Sequence, residues 1–184
     1  MNVLAFLILL LNNTLFVVDA SSEASYAVEV SHGILRKYVD DVGLLSRNMP
    51  GVVSIQELDN GTYLYQTEKA IPLSKPLRTT FTIRKTLVGD SLTIYRSADI
   101  QDDNFMSCKV RLLAEGESRT LITISLRVRL SRRTPSDVHW LAPVLGEDFI
   151  SGKMRDDLDE MLREFVERSR DELNKGVVIP TASK

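Results

Sequence analysis

From residue 25 to residue 30 polar and apolar positions alternate. Tyr26, Val28 and Val30 fall on one side and Ala27 and Glu29 on the other, which predicts a strand. The period then changes. Ile34, Leu35, Tyr38, Val39, Val42 and Leu45 recur at helical spacing, with His32-Gly33 at the join. Asn48-Met49-Pro50-Gly51 is a strong breaker, so one broken helix or two short ones end there. A long series of two-residue periods follows. Residues 52–58 run into an Asp59-Asn60-Gly61 turn and return over residues 62–69. A loop with two prolines, residues 71–76, precedes a strand at 77–87, and Gly89-Asp90 turns the chain into another at 91–98. After an acidic loop at 99–104, strands at 105–114 and 119–131 flank a turn at 115–118. In the last strand Ile122, Ile124, Leu126, Val128 and Leu130 face one way. Thr123, Ser125, Arg127 and Arg129 face the other, as in an antiparallel sheet with one wet face.

Residues 131–136 form a basic loop, and residues 138–146, with Trp140, Leu141, Val144 and Leu145, suit a short helical turn. The final element runs from about residue 153 to residue 174. Met154, Leu158, Met161, Leu162, Phe165 and Val166 mark one face at helical spacing. Asp159 with Arg163 and Glu164 with Arg168 stand four apart in the favoured acid-first order, and Gly176 is a stop signal. Such a helix is roughly 33 Å long, enough to cross a whole sheet. The expected fold is therefore α+β: a curved antiparallel sheet of about seven strands, two short helices after strand 1, and a long C-terminal helix across the concave face. The tail at 176–184 is expected to be flexible. No internal repeat or second domain boundary breaks the pattern.

The amino terminus reads differently. Residues 3–11 are an unbroken apolar run, Asn12-Asn13-Thr14 follows, and residues 15–18 are apolar again, with no charge before Asp19. Three readings stand. One is a secretory signal over residues 1–20, cut after Ala20, although Met1-Asn2 supplies no basic side chain. Another is an uncleaved single-pass anchor, since the charge-free stretch approaches the ~20 residues a span requires. The third is a mis-assigned start, or a buried element of a cytoplasmic protein. The first two place the protein outside the cytoplasm or on a membrane, with the folded domain over residues 24–175. Asn60-Gly61-Thr62 fits a glycosylation pattern, but a plain hairpin turn is the preferred reading, because Asp-Asn-Gly between two strand-like runs is a turn signal in its own right.

The order of elements from about residue 24 to residue 175 resembles the START-like or SRPBCC superfamily. That superfamily includes Bet v 1-type proteins, START lipid-transfer domains and polyketide cyclase/dehydrase-like proteins. The segment from Val28 through the helical stretch 34–45 into Asn48-Met49-Pro50-Gly51-Val52 is similar to polyketide cyclase-like and carbon monoxide dehydrogenase subunit-like members. Residues 154–173 resemble their closing helix. The resemblance implies a helix-grip fold with a hydrophobic cavity between sheet and long helix. It implies no catalytic residues, because the superfamily shares no catalytic set. The apolar leader departs from the cytosolic relatives.

Composition narrows the function. Hydrophobic residues at 43% and charged residues at 26% suit a globular chain, and the net charge of −2 gives no global reason to expect nucleic acid. One cysteine and two histidines exclude an internal disulfide, a cysteine-built zinc site and a three-histidine metal site. No phosphate-loop, dinucleotide, zincin or nucleophile-elbow motif occurs, so no cofactor is expected. Alternation selects cavity candidates: Phe81 and Ile83; Met106, Cys108 and Val110; Ile124, Leu126 and Val128; with Met161, Leu162 and Phe165 from the helix. A solid core is the plain alternative for each. Arg96 shares phase with Leu92 and Ile94. If they point inward it could anchor an anionic head group; otherwise it is exposed at the strand end or paired with an acid such as Asp99. Trp140 could gate the pocket mouth or cover the helix start, and His139 could act as a base. Lys109, Arg111, Arg127, Arg129, Arg132 and Arg133 form either a basic patch for an anionic membrane surface or an ordinary solvated face. The leading expectation is binding or transport of a hydrophobic small molecule or lipid. Two alternatives remain: a cyclase/dehydratase-like enzyme using the same cavity, with Tyr63 or Tyr65 among its polar groups, and a membrane-associated accessory protein.

Overall fold

The computed structural model describes residues 15–59, 61–70, 75–97, 99 and 103–175. Seven strands form one antiparallel sheet in the order β1-β7-β6-β5-β4-β3-β2. The edges are β1 (Phe16–Val28) and β2 (Val52–Asp59). Between them lie β3 (Thr62–Lys69), β4 (Leu77–Val88), β5 (Leu92–Ser97), β6 (Asn104–Ala114) and β7 (Thr120–Arg132). Helices α1 (His32–Asp40) and α2 (Val42–Asn48) carry the chain from one edge to the other, and α3 (Ala142–Asn174) closes the fold. The architecture is the α+β helix-grip arrangement that the alternation and helical periods predict. Asn60, the first part of the two-proline loop, Gly176, the tail and residues 1–14 lie outside the described residues, so the glycosylation motif and helix stop are not placed.

Two boundaries differ from expectation. The first strand runs over Phe16–Val28, not over residues 25–30, and so takes in residues assigned above to a leader. Each of its 13 residues pairs with one of the 13 in β7, from Phe16 opposite Arg132 to Val28 opposite Thr120. With β7 alongside, the apolar run acquires a two-residue period. Phe16, Val18 and Ala20 point inward and are 7%, 0% and 3% exposed. The long helix starts at Ala142 rather than near residue 153. Gly146 interrupts it with φ 79°, a conformation that glycine adopts without steric cost, so the short turn expected near Val144 runs into the main helix across a kink.

Local chemistry explains the smaller joints. Asp41 caps α2 by accepting from the Leu44 amide at 3.0 Å. A 3-10 turn at Pro135–Asp137 carries a reciprocal capping box between Thr134 and Asp137. The main core lies between the concave face of the sheet and the three helices, with Leu35, Val110 and Leu162 essentially sealed from water. A second, smaller cluster joins Phe16 and Val18 to Val138, Ala142 and Ile150. Helix α3 packs chiefly along β1, where the Ser22 hydroxyl donates to the Asp159 carboxylate.

Candidate functional site

The concave face and α3 enclose most of the residues that alternation selected. Phe81, Ile83, Met106, Cys108, Val110, Ile124 and Leu126 are all buried and point inward from β4, β6 and β7. Leu162 and Phe165 meet them from α3, each 1% exposed. Met161 and Val128 are only partly buried and border this cluster rather than sit within it. Inward direction follows from register. Met106 lies opposite Val128, Cys108 opposite Leu126 and Val110 opposite Ile124, so one phase of two neighbouring strands forms a continuous apolar floor. Met49, Met106, Met154 and Met161 contact the same core, and unbranched thioether chains re-pack at low cost.

The polar groups in this interior are mostly satisfied. Tyr95 donates to the Val39 carbonyl. Tyr38 accepts from the Asn48 amide at 2.7 Å and lies 3.3 Å from both Ser169 Oγ and Glu172 Oε2, which ties α1 and α2 to the end of α3. At the same C-terminal end of α1, Arg36 Nε stands 3.2 Å from the Asp40 carboxylate, and Lys85 donates to the Asp40 carbonyl. Tyr65 is 7% exposed, and its hydroxyl is not among the buried polar atoms left without a partner. Burial holds its phenol far above the ordinary value, reinforced by the nearby Cys108 sulfur. Burial also pushes the Cys108 thiol up to about 12, so it is a neutral, unreactive group.

Other candidates fall elsewhere. Arg96 does not point inward. On β5 the buried phase is Thr93, Tyr95 and Ser97, which leaves Leu92, Ile94 and Arg96 on the outer face. The premise that Leu92 and Ile94 face the core fails because Tyr95 is paired with Cys108, an inward residue. Arg96 is exposed, its guanidinium 5.6 Å from the Phe105 ring centroid, with Arg129 on the same ring at 5.8 Å. Trp140 is 53% exposed and lines no interior; it stacks on His139, whose Nδ1 accepts from the Leu141 amide. Of the outer basic residues, Arg127 is held by two bonds to Asp19, at 3.0 and 2.6 Å. Lys109 and Arg111 stand exposed beside Glu23, Thr123 and Ser125 around a shallow depression of about 100 Å³. A second depression, of about 270 Å³, lies at β2–β4 against Val53, Gln66 and Arg78. Both fall below the roughly 300 Å³ at which small-molecule sites begin, and neither lies between sheet and α3. That interior is filled by its own side chains. No group of three metal-ligating side chains occurs among the described residues.

In the sequence Tyr65 stands out only as a catalytic candidate beside Tyr63. Its burial is not visible there, because it depends on what β4 and β6 bring beside it.

Solved structures place this geometry. A START superfamily protein from Mycobacterium smegmatis matches with a TM-score of 0.62 at 12% identity, over 85% of this chain and 99% of that one. A Deinococcus radiodurans protein matches at 0.57 and 16% identity, over 86% and 100%. The di-domain aromatase/cyclase BexL of the BE-7585A biosynthetic pathway matches at 0.56 and 15%, over 84% of this chain and 50% of that one. No family model and no curated protein matches the sequence. The chain has a helix-grip fold, the fold of the protein described as a START superfamily member and of the aromatase/cyclase BexL.

Proposed function

We propose that this chain binds an apolar small molecule, lipid-like or polyketide-like, between the concave face of the sheet and α3. The observation that carries the reading is the continuous apolar floor that one phase of β6 and β7 presents to Leu162 and Phe165 of α3. The Tyr65 hydroxyl borders that floor without being a sealed, unpaired group, and it would donate to a ligand oxygen in place of water. The ligand must open the packed interior to enter, and the methionines at its border are the side chains best suited to move. Among the solved neighbours, the START superfamily and aromatase/cyclase descriptions agree with a small apolar ligand. An enzyme reading needs a second polar group converging on Tyr65. Arg96 lies on the outer face and His139 beside an exposed tryptophan, so neither favours it.

The test is titration of the purified chain with a fluorescent dansyl fatty acid, alongside native mass spectrometry for a co-purified ligand. Saturable binding that weakens about fivefold in Tyr65→Phe, with folding retained, supports the reading; one hydrogen bond of about 1 kcal/mol corresponds to that factor. Failure of the probe to bind, together with the absence of any co-purified apolar molecule, would overturn it.

A further inference from the structure

The outer face of the sheet carries a charge pattern that the core does not use. Strands β4, β5, β6 and β7 contain no Asp or Glu at all, although the chain as a whole has a net charge of −2. Register gathers their outward cations. Arg84 lies directly opposite Arg96, Ile94 opposite Lys109, and Leu92 opposite Arg111. Ser107, which faces Arg96, lies opposite Arg127 on its other side. Neighbouring strands are about 4.8 Å apart, so these cations cover a width of about 14 Å.

Like charges directly opposite one another weaken a sheet, and little compensates them here. Arg127 is held by Asp19, and Arg96 rests on the Phe105 ring. Arg84, Lys109 and Arg111 are exposed and form no ion pair among the described residues. Glu23, on the edge strand β1, accepts from the Ser125 hydroxyl. On α3, across the sheet from this face, acids outnumber the Lys and Arg residues. The molecule therefore separates its charge, basic on the convex side and acidic on the helix side. Aliphatic side chains share the basic face. Val88 pairs with Leu92 and Leu113 with Leu121, in the same outward phase as Arg84 and Arg111. Val88 is 48% exposed and Leu113 58%.

We infer that this face docks on an anionic lipid bilayer, with the cations over the headgroups and Val88 and Leu113 entering the interface at one end. Charge complementarity calls for an anionic surface, and the separated charge turns the acidic helix away from it. Aliphatic residues among the cations suit a bilayer. A nucleic acid would need aromatic rings on which bases stack, and Phe105, the aromatic residue in this phase of β6, is only 3% exposed.

The experiment is sedimentation of the full chain with vesicles of phosphatidylcholine alone and with added phosphatidylglycerol, at low and raised salt. Each basic side chain beside an anionic leaflet strengthens binding about fivefold, so Arg84→Gln/Lys109→Gln/Arg111→Gln is expected to bind the phosphatidylglycerol vesicles about a hundredfold more weakly. Val88→Ser/Leu113→Ser, which leaves the charges in place, is expected to lose about tenfold. Both are checked for native circular dichroism, and the second carries the test by itself if the first misfolds. Arg155→Gln/Arg163→Gln/Arg168→Gln removes the same charge from α3 and is expected to stay within about threefold of the parent, because those side chains face away from the leaflet. Binding that requires phosphatidylglycerol, weakens with salt and follows this order supports the inference. Four results overturn it: no binding to the anionic vesicles, equal binding to both vesicle types, parent-like binding by a folded variant of the outer face, or tighter binding to duplex DNA than to the vesicles.

Discussion

Phe16 separates two pictures of the amino terminus. If residues 1–20 are a removable leader, Phe16→Ala is silent. If β1 begins at Phe16, the substitution uncovers a structural cluster. Phe16 is 7% exposed and packs with Val18, Val138, Ala142 and Ile150. Truncating a core phenylalanine to alanine costs about 3–5 kcal/mol. The cluster is small and lies at the end of a strand, where neighbours relax into the space, so the lower end, about 3 kcal/mol, applies. For a chain of this length that lowers Tm by about 6–12 °C. Leu15→Ala is the internal control: at 48% exposure, outside the strand, it shifts stability by no more than about 0.5 kcal/mol. The assay is urea unfolding of the full chain and both variants, read by circular dichroism. An unchanged m-value with a lowered midpoint shows that stability and not the unfolded state has moved. If Phe16→Ala matches Leu15→Ala and the parent, the assignment of residues 16–20 to the domain fails. Recovery from an exporting host of a folded chain beginning at Ser21 would refute it independently.

Two further outcomes are expected. Stability falls as pH rises from the ordinary thiol value of about 8.5 toward about 12. Over that window the unfolded chain releases the Cys108 proton while the folded chain keeps it, and the slope is about 1.4 kcal/mol per pH unit from this group. Below that window the group contributes no pH dependence. Tyr65 and Tyr95, raised by burial, add to the loss above about pH 10. Urea midpoints at pH 7, 9 and 10 should therefore show a shallower decline in Cys108→Ala, and equal declines would contradict the buried thiol. Separately, Arg96→Ala removes one guanidinium from the Phe105 ring and costs about 0.5–1 kcal/mol, leaving dansyl fatty-acid binding as in the parent. Loss of that binding would show that Arg96 reaches the interior.

The strands of β6 and β7 were legible because each is long and regular. Over 11 and 13 residues only one phase is consistently apolar, so Met106, Cys108, Val110, Ile124 and Leu126 could be assigned to the inside from their spacing alone. The long carboxy-terminal helix was legible for the same reason, since Leu158, Leu162 and Phe165 repeat over several turns. Strand β5 was not. It has six residues, and both phases carry large side chains: Leu92 and Ile94 against Thr93 and Tyr95. Hydrophobicity has no direction of its own, so the choice fell to pairing, with Tyr95 opposite Cys108 turning Arg96 outward. Residues 16–20 are apolar except for Asp19, in an order that suits a leader or a strand, and only the length of β7 beside them makes the strand. The burial of Tyr65 and the exposure of Trp140 belong wholly to tertiary structure. A local period says which residues share a face, but what that face meets, or fails to meet, is set by elements far away in the chain.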